Sequence, residues 1–320
     1  MILADVPLWS IRTFAVLFGM VWGSFLNVVI YRVPREMSVV RPPSHCPACN
    51  APIRAWQNIP VLGWLLLRGR ARCCGVRVSA RYPVVEAIGG VVSLAIIETV
   101  VLRMPGSTDL VRALAVYAVY LAVALALVAA AFIDVEFMIL PDGITLGGAA
   151  LGIASAPLRS MGFVDSIFGA LVGFLVIWLP FIYLLPRITG RKGMGLGDAK
   201  LLALAGAWFG WLGGLVVLGA GAIQGSLVAI AVMLFKGKIE EPEAVRRERE
   251  ENQAALEELE GEERAEFERE LDEDPLKDEP EEGFRKARIA FGPFLILAIL
   301  EGLLFGTEIQ GAMLGWMGLD

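Results

Sequence analysis

Two aspartates, Asp134 and Asp198, stand where long apolar stretches meet turns, in a chain that places few carboxylates within its apolar runs. The first lies in Ile133-Asp134-Val135-Glu136-Phe137-Met138-Ile139-Leu140-Pro141-Asp142, the second in Gly193-Met194-Gly195-Leu196-Gly197-Asp198-Ala199-Lys200. A carboxylate at a membrane boundary is costly unless it faces a wet cavity or a partner, so such residues default to function. Two of them on one side could form an aspartyl dyad that hydrolyses a peptide. One carboxylate would take a proton from water while the other, kept protonated, polarises the scissile carbonyl. Like charges a few Å apart resist joint ionisation, so such a pair shares one proton and titrates as a unit. Glycines 193, 195 and 197 would let the backbone bend tightly and approach an extended substrate, and Pro141 would stop a helix just beyond Asp134. Read singly, Asp198 fits equally well as the N-cap of a following helix and Asp134 as a residue meeting interfacial water. Asp142 reads as another cap and Glu136 as a solvated turn residue.

The four cysteines, Cys46, Cys49, Cys73 and Cys74, all fall in one polar loop, a distribution that suits a metal site better than a disulfide framework. Cys46-Pro47-Ala48-Cys49 is a knuckle whose thiolates can share a tetrahedral zinc. The second pair is adjacent, in Arg72-Cys73-Cys74-Gly75, and adjacent thiolates form a small chelate without the usual knuckle turn. The expected ligands are therefore Cys46, Cys49 and Cys74, with the fourth from Cys73 or from His45, the only histidine in the chain. Zinc there would be structural, since a closed sulfur-rich site leaves no open position for catalysis. The competing reading is a reduced, metal-free loop held by apolar contacts around Trp56 and Trp64. Cysteine nucleophile chemistry is disfavoured, because His45 alone could act as its base.

The elements that must position these groups are membrane helices. With 56% hydrophobic residues and a mean hydropathy of +0.64, the 320-residue chain holds too much apolar sequence for a soluble core. Eight spans are expected, at about 13–31, 84–102, 113–133, 143–158, 165–185, 199–216, 217–235 and 289–316. The fold class is an all-α polytopic membrane protein, with the cysteine loop between helices one and two. Its parts are a first helix within 1–31, the cysteine loop 32–83, a membrane core 84–235, a charged insert 236–288 and a last helix within 289–320. Gly19 and Gly23 carry the small-xxx-small spacing that lets helices approach closely. The loop from 32 to 83 has nine arginines and one acid, Glu36, so the positive-inside rule puts it in the cytoplasm and the N-terminus outside. Alternating sides from there brings both aspartates to the cytoplasmic edge. A reducing compartment then disfavours disulfides. The net charge of −6 belongs to the insert, which holds 21 of the 34 carboxylates and 11 of the 28 basic groups, leaving 17 basic against 13 acidic residues elsewhere. Nothing in that balance points to nucleic acid. The insert reads as a solvated charged helix with i,i+4 pairs such as Glu243/Arg247. The first apolar run carries no cleavage signature and reads as a retained anchor.

Asp134 with Leu140-Pro141 six residues on, together with Gly195-Leu196-Gly197-Asp198, resembles the signature of the type IV prepilin peptidases, GxGD-type membrane aspartyl peptidases. The run Gly23-Ser24-Phe25-Leu26-Asn27-Val28-Val29-Ile30-Tyr31-Arg32-Val33-Pro34, then Asn58-Ile59-Pro60, Arg81-Tyr82-Pro83-Val84-Val85-Glu86 and Phe291-Gly292-Pro293-Phe294 are similar to the bacterial members, in order. The resemblance covers nearly the whole chain outside 236–288. It implies Asp134 and Asp198 as the catalytic pair and, as substrates in the bacterial inner membrane, type IV prepilins or pseudopilins of pilus assembly or type II secretion. Their basic leader would be cut at the cytoplasmic face. It further implies N-methylation of the new N-terminus with S-adenosylmethionine, an activity associated with the long loop after the first span. The family form has a second CxxC, where this chain has the adjacent Cys73-Cys74 pair. No glycine-rich nucleotide fingerprint marks a methyl-donor pocket.

A different class would make Asp134 and Asp198 relay carboxylates of a transporter or proton channel, and polar groups should then continue across the bilayer. Spans two to seven offer Glu98, Gln224 and little else. A third reading is an inactive scaffold whose cysteine loop and acidic insert recruit partners, against which the presence of both aspartates argues.

Overall fold

Long runs without charge leave the backbone only one way to satisfy its own polar groups inside a bilayer, the helix, and helices dominate the computed structural model. It describes residues 2–46, 48–189, 193–236 and 290–316, with side chains to 306 in the last stretch, and isolated positions at 246, 250, 253–256, 261, 264 and 267. The elements are α1 (Leu8–Arg32), the short α2 (Leu62–Leu66), α3 (Arg81–Ile96), α4 (Leu110–Phe137), α5 (Asp142–Ala154), α6 (Phe163–Ile177), α7 (Leu185–Thr189), α8 (Leu196–Lys236) and α9 (Gly292–Trp316). A π-helical turn, Ile97–Val101, extends α3, and another, Trp178–Leu184, joins α6 to α7 around Pro180, which has no N–H to give an α-helical ladder. No strand forms among the described residues, only isolated bridges such as His45 with Pro52 and Arg70 with Arg77.

Among the described residues, five helical stretches are long and apolar enough to cross a bilayer: Leu8–Arg35, Arg81–Val101, Leu110–Phe137, Phe163–Thr189 and Leu196–Phe235. Asp142–Ala154 and Gly292–Gly306 are apolar but shorter. The stretch expected as spans six and seven is one helix broken at Gly210, whose φ of 73° and ψ of 178° lie where only glycine is comfortable. The division therefore falls ahead of the expected 216/217 boundary. Counting α8 as two halves, the apolar helical segments among the described residues follow the eight expected runs. The expected Glu243/Arg247 pair lies outside the described residues; Arg246 and Glu250 make an i,i+4 pair at 3.6 Å.

The described residues group into two compact units. The first draws on Met1–Ala130, Ala150–Phe163 and Ile299–Asp320, the second on Ala131–Ala149 and Val164–Ala298. In the first, α1 and α3 pack antiparallel through small residues. A Cβ on Gly19 would overlap the Gly89 carbonyl and the Ser93 side chain, and one on Gly23 would meet Glu86 Cα at 2.8 Å. Such contact replaces the hydrophobic effect, which is absent between helices in lipid. Ser93 Oγ, fully buried, donates to the Ala15 carbonyl at 2.6 Å and meets the Tyr117 hydroxyl at 2.8 Å. At one end of the pair Arg12 bonds Glu98 at 2.6 Å, and at the other Asn27 Nδ2 donates to the Tyr82 carbonyl at 3.2 Å. The cysteine loop therefore leaves α1 and re-enters α3 at the same end.

In the second unit α6 and α8 meet by the same device. Gly169 lies against Gly206 and Gly173 against the Leu202 carbonyl, each closer than a Cβ allows. Ser166 Oγ donates to the Ala207 carbonyl at 2.7 Å, so a polar side chain buried in an apolar bundle is satisfied by backbone. Further along α8, Gly221 and Gly225 seat Leu295 and Phe294 of α9.

Candidate functional site

Asp134 sits in the last turn of α4, which closes when Met138 adopts a left-handed conformation (φ 54°) and its N–H bonds the Asp134 carbonyl at 2.9 Å. The helix thus ends at Phe137, before Pro141 has any chance to stop it. Pro141 instead opens α5, its carbonyl receiving the Ile144 and Thr145 N–H groups at 3.0 and 3.1 Å. Asp198 lies in the first turn of α8, with its N–H on the Gly195 carbonyl at 3.2 Å. The helix begins at Leu196, so Asp198 stands inside it and not at the cap position.

Three chain segments of the second unit converge on these carboxylates. Leu140, on the turn after Asp134, packs on Gly197, where a Cβ would meet Leu140 Cβ at 3.0 Å and Cδ1 at 3.2 Å. The same Leu140 Cδ1 also reaches Gly292 at the start of α9, whose own Cβ would come 3.3 Å from it and would overlap Asp134 Oδ2. Leu140 is therefore a wedge between the two glycines, and it brings the turn bearing Asp134 against the turn bearing Asp198. Asp134 is 5% exposed and Asp198 half-buried. None of Gly193, Gly195 and Gly197 takes a left-handed φ. At Gly197 what matters is the missing side chain.

Outside the pair, Lys200 Nζ holds Asp142 Oδ1 at 2.6 Å, tying the first turn of α8 to the first residue of α5. Asp142 is thus the ion-pair partner of a lysine two residues past Asp198, a link that sequence spacing did not suggest. Gly292 is the other residue that sequence reasoning passed over as a site member. The Gly292-Pro293 dipeptide marks a turn or helix start, but nothing in the sequence says which carboxylate the glycine meets.

In the first unit, the cysteine loop is built as two facing turns. The first is closed by Cys46 N–H to the Ala51 carbonyl at 2.9 Å and Asn50 N–H to the Cys46 carbonyl at 2.8 Å, with Asn50 left-handed. The second is a hairpin closed by Ala71 N–H to Val76 at 2.8 Å and Gly75 N–H to Ala71 at 2.8 Å, with Gly75 at φ 72°. Cys73 and Cys74 occupy its tip, where the tight turn lets neighbouring side chains point to one place. All four sulfurs lie within 4.8 Å of one another, with Cys46 to Cys74 at 3.7 Å and Cys49 to Cys73 at 3.3 Å. Four thiolates at 2.3 Å from a tetrahedral zinc stand about 3.8 Å apart, so the donor set fits a closed metal site. The adjacent pair does not prevent a four-sulfur cluster. His45 is not in it, and its Nδ1 instead lies 3.0 Å from the Pro43 carbonyl.

The backbone N–H groups of Ala48 and Cys49 aimed at its sulfur bring the Cys46 thiol down to about 6. The hydrogen bond with Cys49, helped by burial, pushes Cys73 up to about 12. A cation would displace the remaining protons on binding. Trp64 braces the loop, with Nε1 donating to the Val78 carbonyl at 3.0 Å and its ring on Gly69. Arg32, buried, donates to the Ser38 and Pro42 carbonyls, both at 2.8 Å. Glu86, also buried, accepts the Val61 N–H at 2.6 Å.

Comparison with known proteins bears on both regions. Residues 17–100 match the model of the bacterial peptidase A24 N-terminal domain, and residues 121–230 match that of the type IV leader peptidase family. The chain is 40% identical over 233 residues to a prepilin leader peptidase/N-methyltransferase of Myxococcus xanthus, covering 72% of this chain and 65% of that one. It is 37% identical over 256 residues to the protein of that name from Aeromonas hydrophila, covering 71% and 83%. With the Pseudomonas putida protein it shares 37% over 259 residues, covering 72% and 84%. No solved structure matches the chain.

Proposed function

The chain belongs to the type IV leader peptidase family, and from that premise we propose that Asp134 and Asp198 are the dyad with which it removes the leader of type IV prepilins or pseudopilins. The observation that carries this reading is the Leu140 wedge, which holds the two aspartate turns together. In the mechanism, one carboxylate takes a proton from water as its oxygen attacks the scissile carbonyl carbon, and the other, protonated, donates to the carbonyl oxygen. The tetrahedral species collapses with cleavage of the C–N bond, the leaving amine takes a proton back, and the pair returns to sharing one. Glycines border both carboxylates, since a Cβ on Gly292 would overlap Asp134 Oδ2 and one on Gly195 would come 3.6 Å from Asp198 Oδ2, so neither acid has a bulky side chain at those positions. Membership of a peptidase family does not favour the proton-relay reading.

The apolar helices, taken with the prepilin peptidase relatives, support a multi-pass protein of the bacterial inner membrane. The arginine excess of residues 32–83 supports an external N-terminus and a cytoplasmic active site. Methylation of the new N-terminus follows from the relatives' second named activity. S-adenosylmethionine would supply the methyl group when bound. With no strand among the described residues, there is no strand-turn-helix nucleotide fingerprint to hold it, so no residue is assigned to it. Cys46, Cys49, Cys73 and Cys74 would hold a structural zinc that fixes the loop.

Mass spectrometry of a prepilin coexpressed with the wild type and with Asp198→Ala tests this reading. Leader removal with a methyl-sized increment, both lost in the variant, is expected. Normal cleavage by the variant would remove the dyad.

A further inference from the structure

The cysteine loop carries an apolar face that neither the dyad nor the metal cluster uses. Its short helix α2 buries Gly63 against the Gln57 carbonyl and directs Trp64 inward, while Leu62, Leu65 and Leu66 are 55%, 55% and 71% exposed. These three positions are spaced i, i+3, i+4 and so share one side of the helix. Isolated exposed leucines need no explanation, but three together on a helix of five residues leave it with an entirely unpartnered apolar side.

Where α2 sits decides what can cover that side. Val61, the residue before it, is held at φ 61°, a costly conformation for a β-branched side chain. Its N–H is captured by the buried Glu86 carboxylate at 2.6 Å. Glu86 is the sixth residue of α3, so the contact is made from the second turn of that membrane helix, with the side chain leaning back toward the end where the loop enters. The anchor therefore holds α2 down beside the membrane-spanning pair α1 and α3. A helix tied to the loop end of a membrane helix, with its apolar side turned out, is positioned to meet the headgroup boundary of a bilayer. The residues that follow complete the pattern. Arg68, Arg70, Arg72 and Arg77 are all exposed, and over the whole loop from 32 to 83 nine arginines stand against the single acid Glu36.

We propose that α2 is an interfacial anchor that inserts Leu62, Leu65 and Leu66 at the edge of an anionic bilayer while the arginines after it bind lipid phosphate groups. Interfacial helices combine an apolar face with flanking cationic groups in this way, and each arginine near an anionic surface adds to the attraction. The consequence is that the cysteine loop is docked flat on the membrane at the level where a membrane-embedded substrate would emerge. This inference does not depend on the identity of the dyad.

The test places the photo-cross-linker benzoylphenylalanine at Leu66, in full-length protein in nanodiscs of phosphatidylcholine, alone or mixed with phosphatidylglycerol. Intact mass spectrometry reads the products. A lipid-mass adduct is expected at Leu66, several-fold stronger than at the exposed loop position Arg54. It should rise several-fold with phosphatidylglycerol and fall when Arg68 and Arg70 are both changed to Gln. Absence of a lipid adduct, or an adduct instead with a co-reconstituted prepilin, would overturn the proposal. Hydrogen exchange on the unaltered protein guards against a misfolded variant. The amides of residues 62–68 should exchange several-fold more slowly in anionic nanodiscs than in phosphatidylcholine, and equal rates in both would count against lipid docking.

Discussion

Replacing Gly292 with alanine is the sharpest probe of how the aspartates are held. The added Cβ would overlap Asp134 Oδ2, stand 3.0 Å from its Cγ and lie 3.3 Å from Leu140 Cδ1. The backbone at the start of α9 tolerates alanine, and its φ is not left-handed. What must give is the Asp134 carboxylate, which has to retreat by about 1 Å to reach ordinary van der Waals separation. The global cost is that of mild overpacking at a site that relaxes by a side-chain rotation, at most roughly 1–3 kcal/mol. The catalytic cost is larger, because a carboxylate misplaced by about 1 Å loses on the order of 100-fold in rate. The expected result is therefore a normally expressed enzyme whose melting temperature falls by a few degrees at most, while kcat on a purified prepilin falls by about two orders of magnitude, with a smaller change in KM. Cleavage at the wild-type rate would show that Asp134 is not held against Gly292 during the reaction, and the argument from the wedge would fail with it. A variant that does not fold would also refute it, since only the end of one side chain has to move.

Other outcomes can be read in the same assay. Asp134→Asn and Asp198→Asn, nearly isosteric, should each lower cleavage by roughly 10²–10⁴-fold, the usual worth of a general acid or base; a variant within a few-fold of wild type would exclude that residue from the dyad. Lys200→Met removes the 2.6 Å pair with Asp142, whose side chain is 62% exposed, so stability should change by less than about 1 kcal/mol. Activity should nonetheless drop several-fold if the pair helps to fix the Asp198 turn, and unchanged kinetics would reduce it to a surface ion pair. Gly19→Leu drives a side chain into the Gly89 backbone of α3 and should cost about 1–3 kcal/mol or more, seen as a lower melting temperature in detergent. An unchanged melting temperature would argue that α1 and α3 do not pack as described.

The membrane helices were legible because the bilayer leaves an apolar run little else to become, and the Gly19/Gly23 spacing announced the α1 interface for the same reason: only small residues let backbones touch. The break in α8 was not legible. Gly206, Gly210, Gly213 and Gly214 all offered a place for it, and the sequence did not distinguish the glycine that turns the chain from those, such as Gly206, that make room for a neighbour. The two aspartates stood out because an ionisable group near a membrane edge has few bland explanations. Gly292 and the Lys200–Asp142 pair did not, since each depends on a tertiary approach between segments far apart in the chain. Asp198 as a cap was a fair local reading that failed for a local reason: α8 starts two residues earlier, at Leu196.

The cysteine cluster is where sequence spacing left the fourth ligand open between Cys73 and His45, and it gives a discriminating experiment. An adjacent pair looks unable to reproduce a CxxC knuckle, since the intervening residues normally create the turn that aims both sulfurs at one ion. Here the turn is supplied outside the pair, by the left-handed Gly75 and the hairpin bonds between Ala71, Gly75 and Val76, so Cys73 and Cys74 can both face Cys46 and Cys49. If all four sulfurs bind one zinc, Cys73→Ser and Cys74→Ser should lower metal content as much as Cys46→Ser or Cys49→Ser, and His45→Ala should leave it unchanged. Metal per chain, measured on protein purified without chelators, reads each case directly. A structural zinc is worth on the order of 10 kcal/mol to a small domain, so proteolysis within residues 33–80 should rise sharply in every cysteine variant. If instead Cys73→Ser keeps full zinc and His45→Ala loses it, the fourth ligand is the histidine, and the loop must rearrange from the four-sulfur geometry when metal binds.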